Sequence, residues 1–169
     1  MQRHWLRPDW DPGLTLAHLP LEPLLGRGIK VLLLDVDRTL LPGKDVVLPP
    51  AMRRWLVDAS RQLHLHLVSN NPSRQRIKAV ADQIGVDFTC GASKPRRRAI
   101  SRIIDQLPTP PTQIAMVGDR VFTDVLAGNR LGLFTVLVRP PNAEGFPCQN
   151  DRVQRLERRL ALLLGSPCR

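Results

Sequence analysis

Apolar residues in this chain come in short runs, separated by stretches whose apolar positions recur at helical spacing. Val31–Val36 (VLLLDV) reads as a central strand covered on both faces, since a parallel strand buried on both sides need not alternate. Leu65–Ser69, Val86–Cys90, Ile114–Val117 and Phe134–Val138 read as further strands. Helices are predicted over Ala51–Leu63 after a Pro-Pro start, and over Ser73–Ile84 up to a stop at Gly85. Two more are predicted over Pro95–Leu107, with proline in the first turn, and over Thr123–Leu131, ended by Gly132. Strand–helix alternation implies right-handed βαβ crossovers, hence an α/β fold with a doubly wound, three-layer, Rossmann-like parallel sheet. Ligands collect at the carboxyl ends of the strands in such sheets. Polar residues stand where four of these strands end.

The predicted core spans residues 29–139, with an N-terminal flank, 1–28, rich in Trp, Leu and Pro and without clear periodicity. Residues 140–169 comprise a linker and a basic amphipathic segment, Asp151 to Leu164. On a helical wheel Val153, Leu156, Leu160, Leu163 and Leu164 share one apolar arc, flanked by Arg152, Arg155, Arg158 and Arg159. Such a helix either lies in a membrane interface or docks on its own domain.

The formal charge of +10 adds a partner to this picture: something anionic, whether nucleic acid, an acidic membrane or a phosphorylated substrate. The densest cations are Lys94, Arg96, Arg97, Arg98 and Arg102, with Arg74, Arg76 and Lys78 near the second strand's end. Cys90, Cys148 and Cys168 form no CxxC and fit a reducing compartment. The opening MQRHWLRPDWDPG lacks a leader's apolar stretch, and no run approaches the roughly 20 apolar residues that span a bilayer. A cytoplasmic protein is expected, at most peripheral on the inner face of a membrane.

Candidate chemistry sits at the strand ends. Asp35 and Asp37 close the first strand in Asp35-Val36-Asp37-Arg38-Thr39-Leu40. Paired carboxylates there are costly without a cation or partner. One can act as nucleophile while the other passes a proton; a solvated acidic turn is the plainer alternative. Ser69-Asn70-Asn71-Pro72 ends the second strand, where a hydroxyl and free helix N–H groups suit a phosphate or simply cap the helix. Lys94 follows the third strand and could neutralise phosphate and nucleophile, or lie in solvent. Gly118-Asp119 and Thr123-Asp124 follow the fourth. Glycine permits close approach and the carboxylate suits a hard cation such as Mg²⁺, although an ordinary strand-to-helix turn uses the same residues.

In order, Asp-x-Asp-x-Thr, Ser, Lys and Gly-Asp-x₃-Thr-Asp, these residues resemble the motifs of haloacid dehalogenase superfamily phosphatases. The resemblance implies the haloacid dehalogenase fold and hydrolysis through an aspartyl-phosphate. It makes Asp35 the nucleophile and Asp37 the acid that protonates the leaving oxygen and then activates water. Ser69 and Lys94 hold the phosphoryl group, joined by Thr39 and Asn70. Mg²⁺ is bound by the carboxylates of Asp35 and Asp119 and the backbone carbonyl of Asp37, with Gly118 and Asp124 in support.

The gaps from Asp37 to Ser69 and from Ser69 to Asp119 leave no room for an inserted cap domain. The site should be open to a bulky or surface-presented substrate, or take a lid from another subunit. Within the superfamily the chain is similar to the capless subfamily IIIA, YqeG-type branch, itself similar to phosphatidylglycerophosphate phosphatases. That similarity rests on Gly28-Ile29-Lys30, Asp35–Leu41, Ser69-Asn70-Asn71, Lys94-Pro95 and Gly118-Asp119 through Gly128-Asn129. Arg38 and Arg120 depart from the asparagine and glutamine common there. The implied reaction is Mg²⁺-dependent dephosphorylation of phosphatidylglycerophosphate to phosphatidylglycerol in phospholipid biosynthesis, by a protein peripheral to an anionic membrane.

Three other functions use the same residues or the same fold. A soluble-metabolite phosphatase needs the same catalytic groups. A nucleic-acid phosphatase suits the charge, but few aromatics are available for stacking bases. A signalling receiver would carry its accepting Asp after the third strand, which here ends in Thr89-Cys90. No oligomeric state is implied.

Overall fold

A computed structural model describes residues 4–148 and 151–164, so Cys168 lies outside the described residues. Five strands, β1 (Val31–Leu34), β2 (His64–Val68), β3 (Asp87–Thr89), β4 (Ile114–Gly118) and β5 (Phe134–Leu137), form one sheet in the order β3-β2-β1-β4-β5. Every neighbouring pair is parallel. The helices are α1 (Glu22–Gly26), α2 (Pro50–Ser60), α3 (Arg74–Ala81), α4 (Arg98–Gln106), α5 (Leu126–Arg130) and α6 (Arg152–Leu163).

Alternation along β1 shows the layering. Leu32 and Leu34 join a core with Met52, Trp55 and Leu56 of α2 and Ile77 and Val80 of α3. Val31 and Leu33 face the other way, onto Ile100 and Ile103 of α4 and Ala127 of α5. The chain is therefore the expected three-layer, doubly wound fold, with its order reversing between β1 and β4. Among the described residues no cap domain is inserted.

Four local differences from the sequence reading have physical causes. The helix expected from Pro95 starts at Arg98, because residues 91–97 form the turn that carries Lys94 inward; Ser93 there has φ 55°. The helix expected from Thr123 begins as a wide π turn, Val121–Val125, closed by Val125 N–H donating to the Arg120 carbonyl at 3.2 Å. The N-terminal flank is woven into the core. Trp10 N–H donates to the Thr135 carbonyl at 3.0 Å and Leu137 N–H to the Trp10 carbonyl at 2.9 Å, while Leu16, Leu19 and Leu24 are buried. Finally, α6 does dock on the domain, but through Gln154, Glu157 and Ala161, leaving its leucines exposed.

Candidate active site

The site is assembled where β1 and β4 diverge, at the switch point that parallel sheets use for ligands. Asp35 still pairs with β4, its N–H donating to the Val117 carbonyl at 2.9 Å. The chain then turns tightly, with Arg38 in the left-handed region at φ 66°. This turn brings Thr39 back, so that its hydroxyl donates to Asp35 Oδ2 at 3.2 Å. Asp37 points the other way and stays partly exposed, 2.7 Å from the guanidinium of Arg76. Ser69 Oγ donates to Asp37 Oδ2 at 3.4 Å and accepts from Asn71 N–H at 3.0 Å.

Lys94 is the hub. Its buried ammonium reaches Asp35 Oδ1 at 2.6 Å, Asp124 Oδ1 at 2.7 Å and the Val68 carbonyl at 2.8 Å. Asn70 holds the backbone of Lys94 from both sides, accepting its N–H at 2.7 Å and donating to its carbonyl at 3.0 Å. The Asn70 side chain thus positions Lys94 instead of projecting freely toward a ligand. At the end of β4, Asp124 Oδ2 accepts Arg120 N–H at 3.1 Å. Gly118 is required by space: a Cβ there would lie 2.3 Å from Asp124 Cγ and Oδ2.

Asp119 completes the constellation, fully buried, with Arg38 Nε 3.3 Å from its Oδ2. One ligand oxygen each from Asp35, Asp119 and Asp124 fall within 4.8 Å of one another. Burial pushes the Asp35 carboxyl up to about 6, with Lys94 pulling against it and Asp124 adding to it. Burial and the charges of Asp124 and Asp35 push Asp119 up to about 9, despite Arg38 and Arg120. Burial works against the charge of Lys94, but Asp124 and Asp35 overcome it and hold the ammonium above its ordinary value. These buried carboxylates have too little positive charge around them, and Asp119 Oδ2 accepts no hydrogen bond. An all-oxygen set of this kind fits a hard divalent cation. A second donor group, His64, His66 and Asp87, lies at the amino ends of β2 and β3, away from this constellation.

The structure therefore brings Asp35, Asp37, Thr39, Ser69, Lys94, Gly118, Asp119 and Asp124 together at one sheet end. It also adds residues that the sequence reading did not place there. Gln154 of α6 donates to the carbonyls of Asp119 at 2.7 Å and Val138 at 2.8 Å. Asp151 pairs with Arg38, and Glu157 with Arg120 at 2.5 Å and with Val121 N–H at 2.8 Å. Arg76 also holds the 43–45 loop through the carbonyls of Gly43, Lys44 and Asp45. The only available signal was indirect: Arg38 and Arg120, the two departures from the resembled pattern, both turn out to grip α6.

A family model of HAD-hydrolase-like proteins matches residues 90–143. The chain is 31% identical over 148 residues to "Probable phosphatase YqeG" of Bacillus subtilis, covering 86% of this chain and 84% of that protein. It is 29% identical over 163 residues to "Phosphatidylglycerophosphate phosphatase 1, chloroplastic" of Chlamydomonas reinhardtii, covering 91% of this chain and 58% of that protein. A crystal structure of an uncharacterized protein from Listeria monocytogenes superposes with a TM-score of 0.57 at 20% identity, over 73% of this chain and 84% of that one. That last likeness is one of fold.

Proposed function

The chain belongs to the haloacid dehalogenase-like phosphatases of the YqeG type, and on that premise we propose that it hydrolyses phosphatidylglycerophosphate to phosphatidylglycerol with Mg²⁺ as cofactor. The observation that carries the chemistry is the contact of Lys94 with both Asp35 and Asp124. It keeps the Asp35 carboxyl near 6 in spite of burial, so that Asp35 is ionised at neutral pH and can attack.

Asp35, Asp119 and the backbone carbonyl of Asp37 would hold the Mg²⁺, which supplies positive charge against the phosphate and its developing negative charge. A carboxylate oxygen of Asp35 attacks phosphorus, and the P–O bond to the glycerol oxygen breaks. Asp37, more exposed and hydrogen-bonded by Ser69, gives its proton to that oxygen. Water then attacks phosphorus as Asp37 takes its proton, releasing phosphate and free Asp35. Ser69 and Lys94 orient the phosphoryl oxygens, Thr39 orients Asp35, and Asn70 orients Lys94.

The lipid substrate is supported by the activity for which the Chlamydomonas relative is named and by the capless opening. No described helix is long and apolar enough to cross a membrane. On this reading the enzyme meets its lipid substrate as a peripheral protein on an anionic surface, to which a net charge of +10 is suited. The test is Mg²⁺-dependent phosphate release from phosphatidylglycerophosphate, a sugar phosphate and an oligonucleotide 5′-phosphate. The lipid should be preferred, and Asp35→Asn should lower its turnover about a thousandfold or more. Undiminished release by that variant would overturn the nucleophile; preference for a soluble substrate would overturn the lipid assignment.

A further inference from the structure

Helix α6 spends its two faces in an unusual way. Its inward face buries Gln154, Glu157 and Ala161, each committed to residues around β4 and the π turn. Its apolar arc turns outward: Leu156 is 58% exposed, Leu163 83% and Leu164 65%, with Val153 and Leu160 beside them. A helix stabilised only by its own domain gains most by turning leucines inward and leaving Gln and Glu in water. Here the reverse holds, and among the described residues nothing covers the arc. Contiguous apolar side chains on such a face mark a surface that meets something else.

Charge indicates what. Arg152, Arg155 and Arg159 form the neighbouring edge of the helix, on a chain of net charge +10. On the inward side of the same helix, Leu6 packs into the small core that holds Ala161. Leucine beside arginine is the composition of a helix lying in a lipid interface. A second copy paired antiparallel through this arc fits less well, because it would bring the arginine edges of both helices to the same side.

We propose that the Val153–Leu164 arc is a docking surface for an anionic bilayer, with the leucines at the acyl boundary and the arginines on lipid phosphates. The choice of bilayer over protein rests on the lipid-phosphate reading above. Docking also has a consequence for the site. The first turn of α6 holds the Asp119 carbonyl through Gln154 and holds Arg38 through Asp151. A membrane gripping α6 therefore lies beside the strand ends where a lipid phosphate must enter.

The test compares the intact protein with a Leu156→Ser/Leu160→Ser/Leu163→Ser variant, whose changes all lie on the exposed arc and replace no residue placed in the site. Flotation with phosphatidylglycerol-containing vesicles should drop about tenfold or more in the variant, and salt should weaken the wild type. Release of phosphate from p-nitrophenyl phosphate should not change. Equal flotation of both proteins, or no flotation of the wild type, would overturn the proposal. So would a variant that differs only by dissociating from dimer to monomer in sedimentation. Turnover of detergent-dispersed phosphatidylglycerophosphate reads the substrate assignment separately. Normal turnover with equal flotation sinks the docking surface alone; arc-dependent flotation with turnover of soluble phosphates only sinks the substrate alone.

Discussion

A single lysine carries most of the electrostatic cost of this site. Asp35 and Asp124 are both buried, and Lys94 lies within 2.7 Å of each, with its own charge almost wholly out of water. Removing one member of a buried ionic set strands its partners, which costs more than the set gains by forming. Lys94→Met should therefore lower unfolding free energy by roughly 3–5 kcal/mol and abolish activity. Denaturant midpoints at unchanged slope would read this, and an unaltered midpoint would show that water already screens the pair. Gly118→Ala probes the same group by volume. Its Cβ would meet Asp124 at 2.3 Å, so that carboxylate must leave Lys94 and Arg120 N–H; a conserved crystal position of Asp124 in the variant would refute the steric account. At this scale the sequence was highly legible. Asp35, Ser69, Lys94 and Asp119 each follow a recognisable strand, and strand ends converge in a parallel sheet. What stayed hidden was side-chain direction. Asn70 follows Ser69 directly but turns onto the Lys94 backbone, a pairing 24 residues apart that no local pattern encodes.

Elements were legible in type and less so at their ends. All five strands and the intervening helices lie in the order the apolar runs give, but α3 ends at Ala81, short of the expected Ile84. Gly85, at φ 66°, closes the turn that follows by donating its N–H to the Ala81 carbonyl at 2.9 Å. The starts of α4 and α5 moved because their first residues serve the site: Lys94 must reach inward and Asp124 must accept from Arg120. For α6 periodicity identified the helix but not its docked face. Burial chose Gln154 and Glu157 because unpaired carbonyls and arginines at the end of β4 needed partners, a need visible only in three dimensions. Gln154→Ala tests that choice. Two buried carbonyls, of Asp119 and Val138, would lose their donor, costing about 1–3 kcal/mol. Because Asp119 is a proposed metal ligand, the Mg²⁺ concentration for half-maximal activity should rise too. Loss of stability with unchanged Mg²⁺ dependence would make Gln154 merely structural.

Over the whole molecule, local pattern fails where the chain closes on itself. Residues 4–28 have no periodicity, yet Trp10 extends the sheet beside β5 and the Trp55 indole donates to the Leu19 carbonyl at 2.6 Å. Contacts over 30 to 130 residues are set by what the finished sheet leaves uncovered. The site imposes a similar global condition through charge. Native Asp35 and Asp119 titrate near 6 and 9, both above the ordinary 3.8, so the folded protein holds protons that the unfolded chain has released. Their contribution to stability is complete below 3.8 and is lost as pH rises, through about 6 for Asp35 and about 9 for Asp119. Without divalent cations, the thermal midpoint should thus fall from about pH 5 to about pH 9, more steeply than in Asp119→Asn. Mg²⁺ binds the deprotonated carboxylates of the native state and competes with those same protons. Its stabilisation should therefore grow across the interval and be small in Asp119→Asn. Calorimetric scans with and without millimolar Mg²⁺ would show diverging midpoints; parallel curves would mean that the buried carboxylates are not where the cation binds.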